Sequence, residues 1–254
     1  MSQRFMPWRL SRERRGRDRN RRAAPLRGAH TLVMHIATVA RIPLRLHWSF
    51  LAVVVGYAVL SLVGSGFSGL FEAVGMGTAL FGSVVLHELG HALAARAYGI
   101  RTRHITLYPF GGIAAIESMP RNPRQELVIA IAGPAVNGLL TVLSLPFALI
   151  TGWWSLYLFV GINVVMGLFN LIPAFPMDGG RVLRAALTVP LGYVRASLVA
   201  MNIGRAFALL FLVAGFIWWA PSLVLVGGFL LVAIAGERRR LAWQVGQRPW
   251  WRAA

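Results

Sequence analysis

The sequence predicts an all-α membrane protein: a bundle of six transmembrane helices carrying a small β-hairpin or sheet element at the cytoplasmic side of the second and third helices. Three observations predict it. Of the 254 residues, 57% are hydrophobic, and the mean hydropathy is +0.62, whereas soluble domains hold about 45–50% apolar residues. The apolar residues gather in stretches long enough to cross a bilayer, which takes roughly 20 residues each. The basic residues avoid every second connection between those stretches.

The spans are expected near residues 47–64, 72–98, 125–150, 154–175, 197–218 and 221–236. The last follows a corner made by Trp218, Trp219, Ala220 and Pro221, since tryptophan favours the headgroup region and proline cannot continue a helix. With the N-terminus inside, the outer connections are 65–71, 151–153 and 219–222, and none holds an arginine. All basic residues are arginines, 26 in number against eight acidic residues, for a formal charge of +18. They fall on inner segments, among them Arg101, Arg103, Arg121, Arg124, Arg181, Arg184 and Arg238 to Arg240, as the positive-inside rule requires. Cytoplasmic termini follow, and a bacterial inner membrane is the expected location.

Residues 1–33 hold a run of arginines without hydrophobic periodicity, which reads as a solvated, disordered extension attracted to anionic headgroups. No nucleic-acid partner is expected. Met34, just before the first span, is an alternative start that would make residues 1–33 dispensable. Residues 34–240 form the membrane domain, and 241–254 a short cytoplasmic tail. Between the second and third spans, Ile105, Leu107, Ile113 and Ile116, broken at Pro109, Phe110, Gly111 and Gly112, suggest paired strands. They form either a plain connection or an edge strand able to receive an extended peptide by strand addition.

The second span carries His87, Glu88, Leu89, Gly90 and His91, the H-E-x-x-H pattern. Histidines at i and i+4 share a helix face, so both imidazoles can reach one tetrahedral Zn²⁺, with the glutamate placed as general base. Ionisable groups in an apolar span are costly and mark function; imidazoles that merely bonded neighbouring helices would explain neither the spacing nor Glu88. There is no cysteine, so a metal would have to be held by imidazole and carboxylate. A catalytic zinc takes three protein ligands and keeps a position open for water. Glu117, Glu126, His47, His104 and Asp178 are the candidates for the third. Asp178 shares the depth of the histidine pair and stands in a run, Asn170 to Gly180, where two prolines unwind the helix and two glycines permit a turn; it could equally cap the segment that follows.

HELGH at 87–91 with NLIPAFPMDGG at 170–180 resembles the site-2 protease family of intramembrane zinc metalloproteases, peptidase family M50. IPLRLHWSF at 42–50, YPFGG at 108–112 and AGPAVNG at 132–138 extend the resemblance. It implies one Zn²⁺ per chain held by His87, His91 and Asp178, with Glu88 as the catalytic carboxylate, and a substrate-positioning role for Asn137, Phe110, Gly111 and Gly112. The implied substrate is a membrane protein, such as a tethered regulator or a signal-peptide remnant. The paired nucleotide-sensing modules that many six-span relatives carry are not expected within this sequence. Asn137 and Asn163 can bond an unwound substrate or simply pack helices. Two other classes compete. A divalent-metal transporter would need polar groups through the full thickness, whereas here they gather at one depth; an idle scaffold would have no need of Glu88.

Overall fold

The computed structural model describes residues 33–109, 111–117 and 122–246. The Arg-rich segment before residue 33, Arg121 and the last eight residues lie outside the described residues. The fold is mostly helical, with a small four-stranded sheet. The sheet begins earlier than the sequence suggests. β1 (Val33–Val39) and β2 (Ile42–His47) precede the first helix, joined by a two-residue turn in which Ala40 and Arg41 have φ of 49° and 65°. Positive φ at both central residues matches the twist of a tight hairpin.

β3 (Thr102–Tyr108) lies parallel to β2, with Leu44 opposite Ile105, and β4 (Gly111–Ile116) runs antiparallel to β3, with Ile105 opposite Ala114. The order is β1-β2-β3-β4, so β4 is an edge. Period-two alternation puts Ile42, Leu44, Ile105 and Leu107 on one buried face, packed against Val85 and Ala92 of the helix that carries the histidines. The expected paired strands at 105–116 are thus half of a larger sheet.

α1 (Trp48–Ala97) contains 50 residues, which if straight would extend about 75 Å. It is not straight. Gly66 has φ 65° and ψ −154°, a region open essentially to glycine alone. Across it the Phe50 and Phe81 rings pack at 5.5 Å between centroids, and Gly69 approaches the Ser61 carbonyl so closely that a Cβ would stand 2.7 Å from it. The helix therefore folds back on itself at Gly66, and its second arm delivers His87, Glu88 and His91 toward the sheet.

Asn122 caps α2 (Pro123–Thr151) by accepting from the Arg124 N–H at 2.9 Å, and Pro123 occupies the first turn, where its missing N–H costs nothing. Gly152, at φ 69°, ends it in the left-handed conformation. α3 (Trp154–Asn170) stops before the proline-containing loop 171–177. α4 (Asp178–Leu191), α5 (Tyr193–Ile217) and α6 (Pro221–Gly246) complete the chain. α2 packs on α1, α3 and α4, and α5 packs on α4 and α6.

Four helices, α1, α2, α5 and α6, are long and apolar enough to cross a membrane; α3 is apolar but has 17 residues. Their outer surfaces expose large apolar side chains, including Val63, Phe67, Phe71, Ile150 and Phe216, each more than 70% accessible. A surface of this kind is stable against lipid and not against water. The chain is an integral membrane protein.

Candidate metal centre

Two elements bring three acceptor atoms to a single point. His87 and His91 lie one helical turn apart on the second arm of α1, and Asp178 opens α4. His87 Nε2 is 3.1 Å from Asp178 Oδ2, His91 Nε2 is 3.1 Å from the same oxygen, and the two Nε2 atoms are 3.1 Å apart. All three residues are buried. A tetrahedral ion with bonds of about 2.0–2.1 Å sets its ligands roughly 3.3 Å from one another, so the triangle has the size of a zinc face.

The outward nitrogens confirm which atoms turn inward. His91 Nδ1 donates to the Ile129 carbonyl of α2 at 2.6 Å, and His87 Nδ1 lies 2.6 Å from Asn137 Oδ1. With the ring hydrogens at Nδ1, both Nε2 lone pairs and a carboxylate oxygen face each other, an arrangement that a bound cation would satisfy. The donor set, two imidazoles and a carboxylate with no thiolate, suits Zn²⁺ in a site open at one position.

Packing leaves room for this triangle through the glycine at 133. A Cβ there would run into His91 Nε2 and stand 2.6 Å from its Cε1 and 2.7 Å from His87 Nε2. Glu88 faces β4, where a Cβ on Gly112 would overlap its Cγ and come within 3.1 Å of Oε1. The Glu88 carboxylate thus lies directly against the edge strand.

Among the other third-ligand candidates, none joins the triangle. Glu126 binds Arg184, Glu117 pairs with exposed Arg103 at 3.0 Å, and His47 caps α1 through Ser49 and stacks on Tyr108. His104 sits on β3, its pKa lowered by partial burial and by Arg45 and Arg103. Asp178 does not cap α4; Met177 occupies the cap position, and the carboxylate reaches the histidines instead. The two glycines after it serve close approach and not a turn. Both are helical, and a Cβ on Gly179 would overlap the Leu171 and Ile172 carbonyls, while one on Gly180 would stand 2.5 Å from the Phe175 nitrogen.

Of the residues expected to position substrate, Gly111 and Gly112 begin β4 beside Glu88, and Phe110 lies outside the described residues. Asn137 is placed otherwise. Fully buried, it is committed to His87 and, through Nδ2, to Asn163 Oδ1 at 2.9 Å. Sequence reasoning missed Ile129 and Gly133 as parts of the site. Their spacing of four with Asn137, on a predicted helix, marks one face and was the available signal.

A helical bundle with a lipid-facing exterior that closes on two histidines and an aspartate defines an integral membrane protein built around a candidate metal site. The family model of peptidase family M50 matches residues 76–153 and 148–211. A zinc metalloprotease of Methanocaldococcus jannaschii is 39% identical over 206 residues, covering 78% of this chain and 58% of the relative. The stage IV sporulation protein FB of Bacillus subtilis is 30% identical over 132 residues, 50% of this chain and 45% of that protein. The solved site-2 protease from Methanocaldococcus jannaschii aligns with a TM-score of 0.65 at 36% identity, covering 81% of this chain and 94% of that one. The chain belongs to peptidase family M50, the site-2 protease family of metalloproteases. It spans about half the length of the curated relatives it matches, between 44% and 59%.

Proposed function

We propose that this chain is an intramembrane zinc protease that hydrolyses peptide bonds of membrane-spanning substrates. The observation that carries the reading is the buried triangle of Nε2, Nε2 and Oδ2 with 3.1 Å edges, set beside Glu88 in a chain of the M50 family. His87, His91 and Asp178 would hold one Zn²⁺. When bound, zinc supplies Lewis-acid chemistry, acidifying a water and polarising the scissile carbonyl. Glu88 accepts the proton of the attacking water as its oxygen bonds to the carbonyl carbon, then returns a proton to the amide nitrogen as the C–N bond breaks.

A helical substrate hides its amides and must unwind to be cut. β4 supports a place for the unwound segment, because its free edge can pair with an extended peptide and Glu88 sits against Gly112. Phe110, Gly111 and Gly112 are the substrate-side residues in this reading. Six spans are counted by taking the arms of α1 on either side of Gly66 separately and adding α2, α3, α5 and α6. The arginine-free corners at Gly66, Gly152 and Trp219 then lie outside, and the sheet and metal site lie toward the cytoplasm of a bacterial inner membrane.

The test is cleavage of single-span model substrates by purified protein, comparing wild type with Glu88→Gln, together with zinc analysis of both. Cleavage by wild type that vanishes in the variant while zinc is retained is the expected result. Zinc-free wild-type protein, or a variant that cuts as fast as wild type, would overturn the reading.

A further inference from the structure

A histidine that binds a metal through Nε2 must carry its hydrogen on Nδ1, and what faces Nδ1 decides this. For His91 the partner is the Ile129 carbonyl, which can only accept. For His87 the partner is Asn137, whose amide can turn either an oxygen or an NH₂ toward the ring. Something must choose between the two.

The choice is made two residues away from the metal ligand. Asn137 Nδ2 donates to Asn163 Oδ1 at 2.9 Å and contacts Met166 Sδ at 3.6 Å, a second acceptor. Asn163 Nδ2 in turn donates to the Phe159 carbonyl at 2.9 Å and to Ser83 Oγ at 3.1 Å. The Phe159 carbonyl cannot donate, so it fixes the polarity of the chain. Asn163 turns its NH₂ toward Phe159, its oxygen meets the NH₂ of Asn137, and the oxygen of Asn137 meets His87 Nδ1. Ser83, Asn137 and Asn163 are each at most 1% exposed, so no bulk water competes with these bonds. Reversal would set the Asn163 oxygen against the Phe159 oxygen and an NH₂ against His87, moving the ring hydrogen to Nε2, where the metal binds.

We infer that Asn163, anchored on the Phe159 carbonyl and flanked by Ser83, is a positioning residue that orients the Asn137 amide and so selects the His87 tautomer competent to bind zinc. The inference rests on the zinc reading above. It spans three elements, the second arm of α1 and the helices α2 and α3, and it makes a polar pair inside the bundle part of the metal site.

The experiment uses the full chain in detergent micelles and measures zinc affinity by competition with a chromophoric chelator. Asn163→Leu removes the anchor, and zinc affinity is expected to fall roughly 10-fold or more, the usual effect of losing an outer-shell partner. In the double variant Asn137→Asp/Asn163→Leu the residue facing His87 can only accept, so the anchor is no longer needed and most of the affinity returns. A residue that merely packed helices would show no such rescue. Should the leucine variant fail to fold, Asn163→Ser takes its place, since its hydroxyl can bond back to Phe159 but is too short to reach Asn137. Wild-type affinity in the single variant, or a double variant as weak as the single, would overturn the inference and leave the zinc reading intact. Wild-type protein that takes up no zinc would overturn both.

Discussion

A methyl group at residue 133 would decide whether two imidazoles can stand where they do. In an ordinary helix, Gly→Ala stabilises by about 0.8–1.0 kcal/mol. Here the added carbon would overlap His91 and press on His87. Gly133→Ala is therefore expected to forfeit that gain and to cost about 1–3 kcal/mol through overpacking, and to lose zinc affinity by roughly 10-fold or more, as read by thermal unfolding and chelator competition. A variant that kept both stability and affinity would show that the rings have slack which the packing does not reveal. At this scale the sequence was legible where chemistry is scarce. The H-E-x-x-H spacing put His87, Glu88 and His91 forward, and the resemblance to site-2 proteases implied Asp178 among five candidates for the third ligand. What surrounds those residues was less legible. Asn137 was readable as a polar residue on a helix face, but whether it meets substrate or His87 depends on α3, which supplies Asn163 from 26 residues further along.

The helical hairpin of α1 depends on one backbone conformation. Gly66, with φ 65° and ψ −154°, occupies a region in which a side chain is strained whatever the surrounding space. Gly66→Ala is expected to cost about 1–3 kcal/mol, lowering the unfolding midpoint in detergent, whereas Gly64→Ala, in open space, leaves it unchanged or raises it. Equal behaviour of the two would mean that the fold-back is held by packing alone. The connection between the first two spans is expected over 65–71, yet a single glycine suffices for the reversal, and Gly69 serves to let the arms touch. Elsewhere, IPLRLH at 42–47 entered only through the family resemblance, with no strand expected there. Its alternation is that of a strand, but its partner, β3, pairs Leu44 with Ile105, and no local signal discloses a pairing so distant. The double glycine after Asp178 suggested a turn for a similar reason: composition records that a Cβ is missing, and only the neighbouring Leu171 and Ile172 carbonyls say why.

Across the whole molecule, α2, α4 and α6 are tied by a buried charge. Arg184 was counted among the arginines that mark the cytoplasmic face, but it is 1% exposed. Its guanidinium binds Glu126 of α2 through Nε and Nη2 and lies 3.6 Å from Glu237 of α6, with the rings of Phe175 and Tyr193 at 4.8 and 5.0 Å. Its partners lie 58 and 53 residues away in sequence, so the cluster assembles only when the helices do. Removing one member of such a pair leaves the other buried and uncompensated, which costs about 3–5 kcal/mol. Replacing both with apolar residues of similar size is often neutral or even stabilising. Arg184→Met is accordingly expected to lower the stability of the purified chain sharply in denaturant titrations, and Arg184→Met/Glu126→Leu to regain most of it, with Glu237, 27% exposed, left to solvent or to Arg240. Zinc uptake should return with the fold in the double variant, because Asp178 is seated by Gly179 and Gly180 against the 171–175 loop and not by the guanidinium. A double variant that folds stably but no longer takes up zinc would instead place the aim of α4, and hence of the third ligand, under the control of this ion pair.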